Sequence, residues 1–212
     1  MTTGASLAPL GAAGFAATIA VSRETIDRLE SYLALLERWQ QAINLVGRST
    51  LGDPWRRHVL DSAQLARFLP PGRGGVADLG SGAGLPGIIL AIMGTPDVHL
   101  VEADRRKAQF LREAARHLDL ANVTVHPARI ETLALEVGAV TSRALAPLPA
   151  LLRMAVPLLA PGGRLVLLKG RNVETELAEA TRDWEMRIAL KPSRADPEGR
   201  ILILDEVRSR ET

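Results

Sequence analysis

The sequence predicts an α/β fold in which a doubly wound, mostly parallel sheet of seven strands follows a helical extension and ends in a β-hairpin. Two observations support this prediction. Between residues 76 and 181, short apolar runs alternate with helical patterns, which is typical of right-handed βαβ crossovers. The last two apolar runs are joined instead by a connector with two prolines and a glycine, which indicates an antiparallel hairpin.

Residues 1–21 are mostly small and apolar, and we interpret them as a flexible N-terminal arm. Pro9, Gly11 and Gly14 interrupt regular structure there. The run is too short to span a bilayer and lacks the basic start of a secretory signal. We therefore expect no membrane association and a cytoplasmic location.

Residues 22–70 are predicted to form a helical lead-in to the sheet. Ser22 is a plausible N-cap for a first helix over residues 23–43, where apolar side chains recur at helical spacing. A second helix is predicted to start at Pro54 and to run to about Phe68.

Residues 71–212 are predicted to form the core. Its predicted strands are residues 76–79, 98–102, 123–126, 137–142, 164–169, 187–190 and 200–204. Its predicted helices are residues 86–93, 105–119, 148–159 and 173–181.

Composition narrows the class of protein. The absence of cysteine excludes disulfides, thiol catalysis and cysteine-ligated metals, fits a reducing compartment, and no metal site is predicted. The net charge of +2 excludes a uniformly basic nucleic-acid coat, so any RNA contact must come from local clusters.

The strongest local signal is a glycine-rich segment directly after the first predicted strand. Asp78 is followed by Gly80, Gly82 and Gly84, and a proline then opens a helix. Glycine allows a cofactor to approach the backbone closely where the chain turns into a helix. Glu102 ends the second predicted strand, where a carboxylate can accept hydrogen bonds from ribose hydroxyls. The segment therefore predicts a nucleotide-like cofactor; the alternative is a surface turn beside a solvated acid.

The identity of this cofactor is less closely determined. Gly82, Gly84 and Gly87 also match the dinucleotide pattern G-x-G-x-x-G, with Glu102 at the expected distance of about 20 residues. Asp78 before the first glycine, the final hairpin and the short chain favour S-adenosylmethionine. A dehydrogenase needs a further catalytic domain, but an NAD-dependent oxidoreductase remains an alternative.

Eight short motifs extend the pattern along residues 22–205. They are Trp39…Asn44-Leu45, Arg57-His58-Val59-Leu60-Asp61-Ser62, Asp78–Gly87, Lys107…Phe110-Leu111, Asn122-Val123, Arg129-Ile130-Glu131, Ser142-Arg143-Ala144 and Leu168-Lys169-Gly170. In this order and spacing, the chain resembles the bacterial small-subunit rRNA guanine-N7 methyltransferases, also called glucose-inhibited division protein B. It departs from the usual family pattern at Val46, where threonine is usual, and at Glu102, where aspartate is usual.

The resemblance implies a Rossmann-like class I methyltransferase fold that binds S-adenosylmethionine. It implies that Gly80 and Leu85 line the cofactor pocket, that Ile130 and Glu131 lie beside the adenine, and that Arg143 is close by. Taken alone, Leu85 could belong to the core, and Glu131 and Arg143 could be solvated. The implied target is N7 of guanine 527 in the 530 loop of 16S rRNA, as RNA or within a small-subunit assembly particle. The expected form is a monomer.

N7 of guanine carries a lone pair and no proton, so its methylation needs no general base, and we assign no catalytic residue. The Asn/Asp-Pro-Pro-Tyr motif of amine methyltransferases is replaced after the fourth strand by Ser142-Arg143-Ala144-Leu145, which argues against adenine-N6 or cytosine-N4 chemistry. His58, inside a helical pattern, is interpreted as a structural residue.

RNA contacts are predicted from cations near the carboxyl ends of the strands. The candidates are Arg57, Arg105, Arg106, Arg129, Lys169 and Arg171, with Arg56, Lys107 and Arg143 as further members of the same group. The run from Arg105 to Lys107 could equally be a solvated helix start. A non-catalytic RNA-binding module on the same fold is a further alternative.

Overall fold

The computed structural model describes residues 8–72 and 74–210. Its strands are β1 (Val76–Leu79), β2 (Val98–Val101), β3 (Val123–His126), β4 (Val137–Arg143), β5 (Leu159–Lys169), β6 (Trp184–Pro192) and β7 (Arg200–Ser209). They form one sheet in the order β3-β2-β1-β4-β5-β7-β6. Strands β1 to β5 are parallel to one another, whereas β7 is antiparallel to both β5 and β6. The predicted parallel sheet of seven strands with a final hairpin is therefore confirmed.

Seven α-helices surround the sheet within the described ranges. They are α1 (Ala12–Thr18), α2 (Arg23–Gln40), α3 (Asp61–Ala63), α4 (Gly87–Ile92), α5 (Arg105–His117), α6 (Leu148–Ala155) and α7 (Val173–Asp183). The helix predicted over residues 148–159 is shorter, because Pro157 cannot continue the α-helical hydrogen bonds and residues 156–158 form a 3₁₀ turn. Within the described residues, no helix is long and apolar enough to cross a membrane.

Both faces of the sheet are covered, which explains why its central strands are continuous apolar runs. Every residue of β1 is buried. On one face, Leu100 packs in a core with side chains of α2, α4 and α5. On the other face, Val101 packs in a core with side chains of α6 and α7. Adjacent residues of one strand thus serve opposite cores, as the two-residue period of a strand requires.

The helical lead-in differs from its prediction in two places. Helix α2 ends at Gln40 rather than at residue 43, because the Gln40 side chain takes over the backbone hydrogen bonds. Its amide oxygen accepts from the N–H groups of Leu45 and Val46, and its amide nitrogen donates to the Val46 carbonyl. The second helix, predicted as one segment, is a π-helix over Trp55–Leu60 that continues into α3.

The described part of the N-terminal arm contains helix α1, which packs against the lead-in. Phe15 of α1 is completely buried, with its ring 5.6 Å from that of Trp55. The Leu10 N–H donates to the Asp53 carboxylate at 2.9 Å, and Arg56 donates to the Ala8 carbonyl. These contacts could not be predicted from the composition of the arm, because the partners lie more than 40 residues away in the sequence. Residues 1–7 of the predicted arm lie outside the described residues.

Phe15→Ala should lower the free energy of unfolding by about 3 kcal/mol, because it removes a buried aromatic side chain and leaves a cavity. Urea unfolding would measure the change. Leu51→Ala is the matched control, since the Leu51 side chain is 38% exposed and should lose well under 1 kcal/mol, in the range usual for surface positions. A Phe15 variant as stable as this control would show that α1 is not docked in solution.

Candidate functional site

A cavity of about 790 Å³ opens at the carboxyl ends of β1, β4 and β5. The chain leaves β1 toward β2 on one side, whereas β4 lies on the other, so this is the switch point where α/β sheets bind ligands. Four of the segments that line it are residues 80–83 with Leu85, residues 143–147, residues 168–170 and parts of 193–200 at the β6–β7 connector, and the rest of the lining comes from the second lead-in helix, residues 45–47, Thr50, Lys107 and Glu176. Each of these four segments follows a strand, so the sheet positions them together.

Three glycines of the turn after β1 have left-handed backbone conformations. Gly80, Gly82 and Gly84 have φ of +67°, +55° and +82°. A Cβ atom at Gly80 would strike Leu145, whereas one at Gly82 would meet nothing nearer than 3.8 Å. Gly80 and Gly82 line the cavity, and Gly84, packed on Ile88, does not. Open backbone is therefore presented to a ligand at Gly82.

Asp78 supports this turn from behind. Its side chain is completely buried, and one carboxylate oxygen accepts from the Gly87 N–H at 3.0 Å, at the start of α4. Among the described residues the other oxygen, Oδ1, has no hydrogen-bond partner. Burial raises the pKa of Asp78 to about 7. Asp78 thus shapes the glycine turn and does not line the cavity.

Glu102 joins the glycine turn to the end of β2. Its Oε2 accepts from the Gly82 N–H at 2.9 Å, and its Oε1 accepts from the Asp104 N–H at 2.8 Å. The side chain is largely buried and does not line the cavity itself. Each carboxylate oxygen can accept further hydrogen bonds, so the group can still receive hydroxyls of a ligand that lies over Gly82.

All three carboxylates that line the cavity form ion pairs within the described part of the chain. The pairs are Asp61 with Arg143 at 3.4 Å, Glu176 with Lys169 at 2.7 Å and Asp196 with Arg57 at 2.7 Å. Lys169 also donates to the Ala146 carbonyl and is only 9% exposed. Burial raises the pKa of Asp61, against the opposing charge of Arg143. The cavity is thus polar, and each carboxylate in its lining is paired with a cation, while Lys107 and Arg200 line it without a salt bridge among the described residues.

His58 lies on the wall of the cavity and is buried. Its Nε2 is 3.1 Å from the Thr50 hydroxyl, which donates to the Gly47 carbonyl at 2.6 Å. The hydroxyl must then accept a hydrogen bond from the Nε2–H group, which assigns the tautomer and leaves Nδ1 as an acceptor without a partner among the described residues. Burial, with Arg143 nearby, lowers the pKa of His58 to about 4. The imidazole is therefore neutral at physiological pH and a weak base.

The structure brings together only part of the predicted site. The predicted residues that line the cavity are Gly80, Gly82, Leu85, Arg57, Lys107, Arg143 and Lys169. Those that do not are Asp78, Gly84, Glu102, Ile130, Glu131, Arg105, Arg106, Arg129 and Arg171. Ile130 is packed in the core on the α6 side of the sheet, and Glu131 is exposed beside it. Arg171 pairs with Glu198 on the surface, away from the cavity lining.

Comparison with known proteins decides the family. A family model described as rRNA small subunit methyltransferase G matches residues 25–194. Ribosomal RNA small subunit methyltransferase G of Rhodospirillum rubrum is 54% identical over 194 residues, which cover 91% of this chain and 96% of the relative. The chain belongs to the rRNA small subunit methyltransferase G family. The family predicted from the eight motifs is therefore confirmed.

Further comparisons agree with this assignment. The protein of the same name from Rhodospirillum centenum is 53% identical over 200 residues, covering 94% of this chain and 92% of the relative. A SAM-dependent methyltransferase from Aquifex aeolicus has a similar solved structure, with a TM-score of 0.57 at 16% identity over 74% of this chain and 95% of that chain. The similarity to this solved structure shows the fold, and it confirms the predicted class I methyltransferase architecture.

Several of the motif residues that place the chain in the family serve the fold. Asn122 donates from its side-chain amide to the Ala91 and Thr95 carbonyls, which ties the start of β3 to the end of α4. Trp39 packs edge-on against Phe110, with ring centroids 5.7 Å apart. Motif membership alone therefore does not mark a residue as a ligand contact.

Sequence reasoning missed Tyr32 and the β6–β7 connector. The buried Tyr32 hydroxyl donates to the Ala83 carbonyl at 2.7 Å and so joins α2 to the glycine turn. Gln64 holds the connector through Ser193 and the Arg194 N–H. The only available signal for Tyr32 was that it is the single tyrosine of the chain, within a helix of otherwise aliphatic core positions.

Asp78→Asn should change the pH dependence of stability. The pKa of Asp78 is about 7 in the folded protein and about 4 in an unfolded chain, so its contribution to stability falls as the pH rises between these values. Asparagine can still accept from Gly87 but cannot ionise. The stability of the variant relative to wild type should therefore be more favourable at pH 8 than at pH 5, as measured by urea unfolding.

The titration of His58 does not affect this comparison. Its lowered pKa makes its own contribution to stability fall as the pH drops from about 6.5 to about 4, the opposite direction. This contribution is common to both proteins and cancels in the difference. An equal difference at the two pH values would contradict the burial effect on Asp78.

Proposed function

We propose that this chain transfers the methyl group of S-adenosylmethionine to N7 of a guanine in small-subunit rRNA. Guanine 527 in the 530 loop of 16S rRNA is the proposed position. The observation that carries the proposal is a switch-point cavity with open glycine backbone on one wall and with each lining carboxylate in an ion pair. The names of the relatives, all ribosomal RNA small subunit methyltransferase G, support the RNA class.

The residues of the glycine turn fit the proposed cofactor. A Cβ at Gly82 would occupy the open space above the turn, so the glycine keeps a cradle free there. Gly80, Gly82 and Leu85 would contact the cofactor, and Glu102, behind Gly82, would accept its ribose hydroxyls. When bound, S-adenosylmethionine supplies an electrophilic methyl group. Roles beside the adenine for Ile130 and Glu131 stay proposals, since both lie away from the cavity lining.

The chemistry of the cavity suits an acceptor that has no proton to lose. Asp61, Glu176 and Asp196 are paired with cations, and His58 is too weak a base to take a proton near neutral pH. N7 of guanine needs none, because its lone pair is already free. The contribution of these residues is then to orient the base and to exclude water.

The RNA contacts are proposed to come from the predicted cations. Arg105 and Arg129 are exposed and can meet phosphates directly. Arg57, Lys169 and Arg171 are ion-paired, so each would have to exchange its carboxylate partner for a phosphate. Arg57, Lys169 and Arg171 are therefore weaker candidates for RNA contacts than Arg105 and Arg129.

Methyl transfer to 16S rRNA from a strain that lacks this modification, with the modified base mapped, tests the proposal. Transfer to N7 of one guanine is the expected result. Binding of RNA without transfer would favour a non-catalytic module. Binding of NAD in preference to S-adenosylmethionine would favour the oxidoreductase that the glycine pattern alone left open.

Gly82→Val should abolish S-adenosylmethionine binding, because it places a branched side chain in the cradle. The left-handed φ also strains any substitution, so a control at another glycine with a positive φ is needed. Gly94 provides it, with φ of +89° and nothing within 4 Å of a Cβ. Gly94→Val should lose similar stability and keep normal affinity by calorimetry. Near-normal affinity in a folded Gly82 variant would place the cofactor elsewhere.

A further inference from the structure

A second cavity of about 410 Å³ lies beside the first, between the end of α2 and the start of α5. Its lining comprises Gln40, Gln41, Ala42, Ile43, Asn44, Arg48, Asp104, Arg106 and Lys107. Lys107 lines both cavities. Residues 45–47 line the first cavity, while residues 40–44 and Arg48 line the second, so one short loop separates the two.

This separating loop is held in place on both sides. The Gln40 side chain makes hydrogen bonds of 2.8–3.0 Å to the backbone of Leu45 and Val46. From the opposite wall, the Arg106 guanidinium donates to the Ala42 carbonyl at 2.9 Å. The second cavity is therefore a defined space whose position relative to the first does not depend on a free loop.

The second cavity, like the first, is lined by more cations than carboxylates. Three cations line it, Arg48, Arg106 and Lys107, against one carboxylate, that of Asp104. The Asp104 carboxylate caps α5 by accepting hydrogen bonds from the backbone N–H groups of Arg106 and Lys107 at 2.8 and 3.0 Å. Within residues 8–72 and 74–210, no carboxylate lies within salt-bridge distance of the side chains of Arg48 or Lys107. A cavity lined by three cations and one carboxylate fits an anion.

We propose that the second cavity binds the phosphodiester of the nucleotide next to the one held in the first cavity, with Arg48 and Lys107 as its cationic contacts. The proposal rests on the proposed function, since it extends the RNA site. Phosphate groups flank every nucleotide, so a target base in the first cavity brings a phosphate close to the shared wall at Lys107. Guanidinium and ammonium groups are the usual contacts of phosphate oxygens.

This assignment indicates the path of the RNA across the surface of the protein. On the side of the β6–β7 connector, Arg57 and Arg171 are paired with Asp196 and Glu198. On the α2–α5 side, no carboxylate of the described residues lies within salt-bridge distance of Arg48 or Lys107. The chain next to the target nucleotide is therefore expected to cross the end of α2 and the start of α5.

Arg48→Gln tests the assignment, with Arg112→Gln as the matched control. Arg112 lies on α5, is exposed and lines neither cavity, so its replacement removes the same charge from outside both cavities. Affinity for a short RNA that contains the target guanine is measured against salt concentration. Arg48→Gln should weaken binding about five- to tenfold and lower the salt slope by about 0.7. Arg112→Gln should change neither, and neither variant should change S-adenosylmethionine affinity by calorimetry.

The contact with one phosphate is tested by replacing each phosphate beside the target guanine with a neutral methylphosphonate. At the contacted position, the replacement should weaken binding to wild type but cause little further loss in Arg48→Gln, as expected for a coupled pair. Fully additive losses at both positions, or a salt slope for Arg48→Gln equal to that of Arg112→Gln, would overturn the proposal.

These outcomes are separable from failure of the proposed function. If wild type does not methylate the RNA, the proposed function fails, and the subsite fails with it. If wild type methylates the RNA while Arg48→Gln behaves as Arg112→Gln does, only the subsite is wrong. If Arg48→Gln weakens binding of inorganic phosphate but not of RNA, the cavity binds a free anion and the proposal is again overturned.

Discussion

The glycine turn after β1 is the constraint on which the site depends. A backbone with three left-handed glycines in five residues has little conformational preference of its own, so other elements must hold it. Three side chains do so from different directions: Asp78 at Gly87, Glu102 at Gly82 and Tyr32 at Ala83. They belong to β1, to the end of β2 and to α2. The shape of the cofactor cradle is thus coupled to the docking of the helical lead-in.

The second organising feature is the distribution of paired and unpaired charge. In the large cavity, each lining carboxylate is paired with a cation, which reduces the desolvation cost of both groups. In the neighbouring cavity, no carboxylate of the described residues lies within salt-bridge distance of Arg48 or Lys107, which suits a phosphate. The two adjacent cavities are proposed to hold the base and the neighbouring phosphate of one RNA chain.

The sequence predicted the sheet closely and the site only in part. Strands β1 and β3 have the predicted bounds, because buried apolar runs between turn residues are local patterns. Helix α2 was predicted three residues too long, because the hydrogen bonds of the Gln40 side chain to the following loop leave no trace in apolar periodicity. The glycine spacing located the turn, but it did not distinguish Gly82, which faces the cavity, from Gly84, which faces the core.

The sequence by itself determined the order of the elements, the glycine turn and the family, since each depends on residue types at short, regular spacing. The tertiary structure alone decided which charged residues are available to a ligand. Arg57 and Asp196 are 139 positions apart in the sequence, and Arg143 and Asp61 are 82 apart. Each of these two pairs nevertheless forms an ion pair in the lining of the cavity. Local pattern cannot identify such partners, because an ion pair depends on where the fold brings two side chains rather than on their neighbours along the chain.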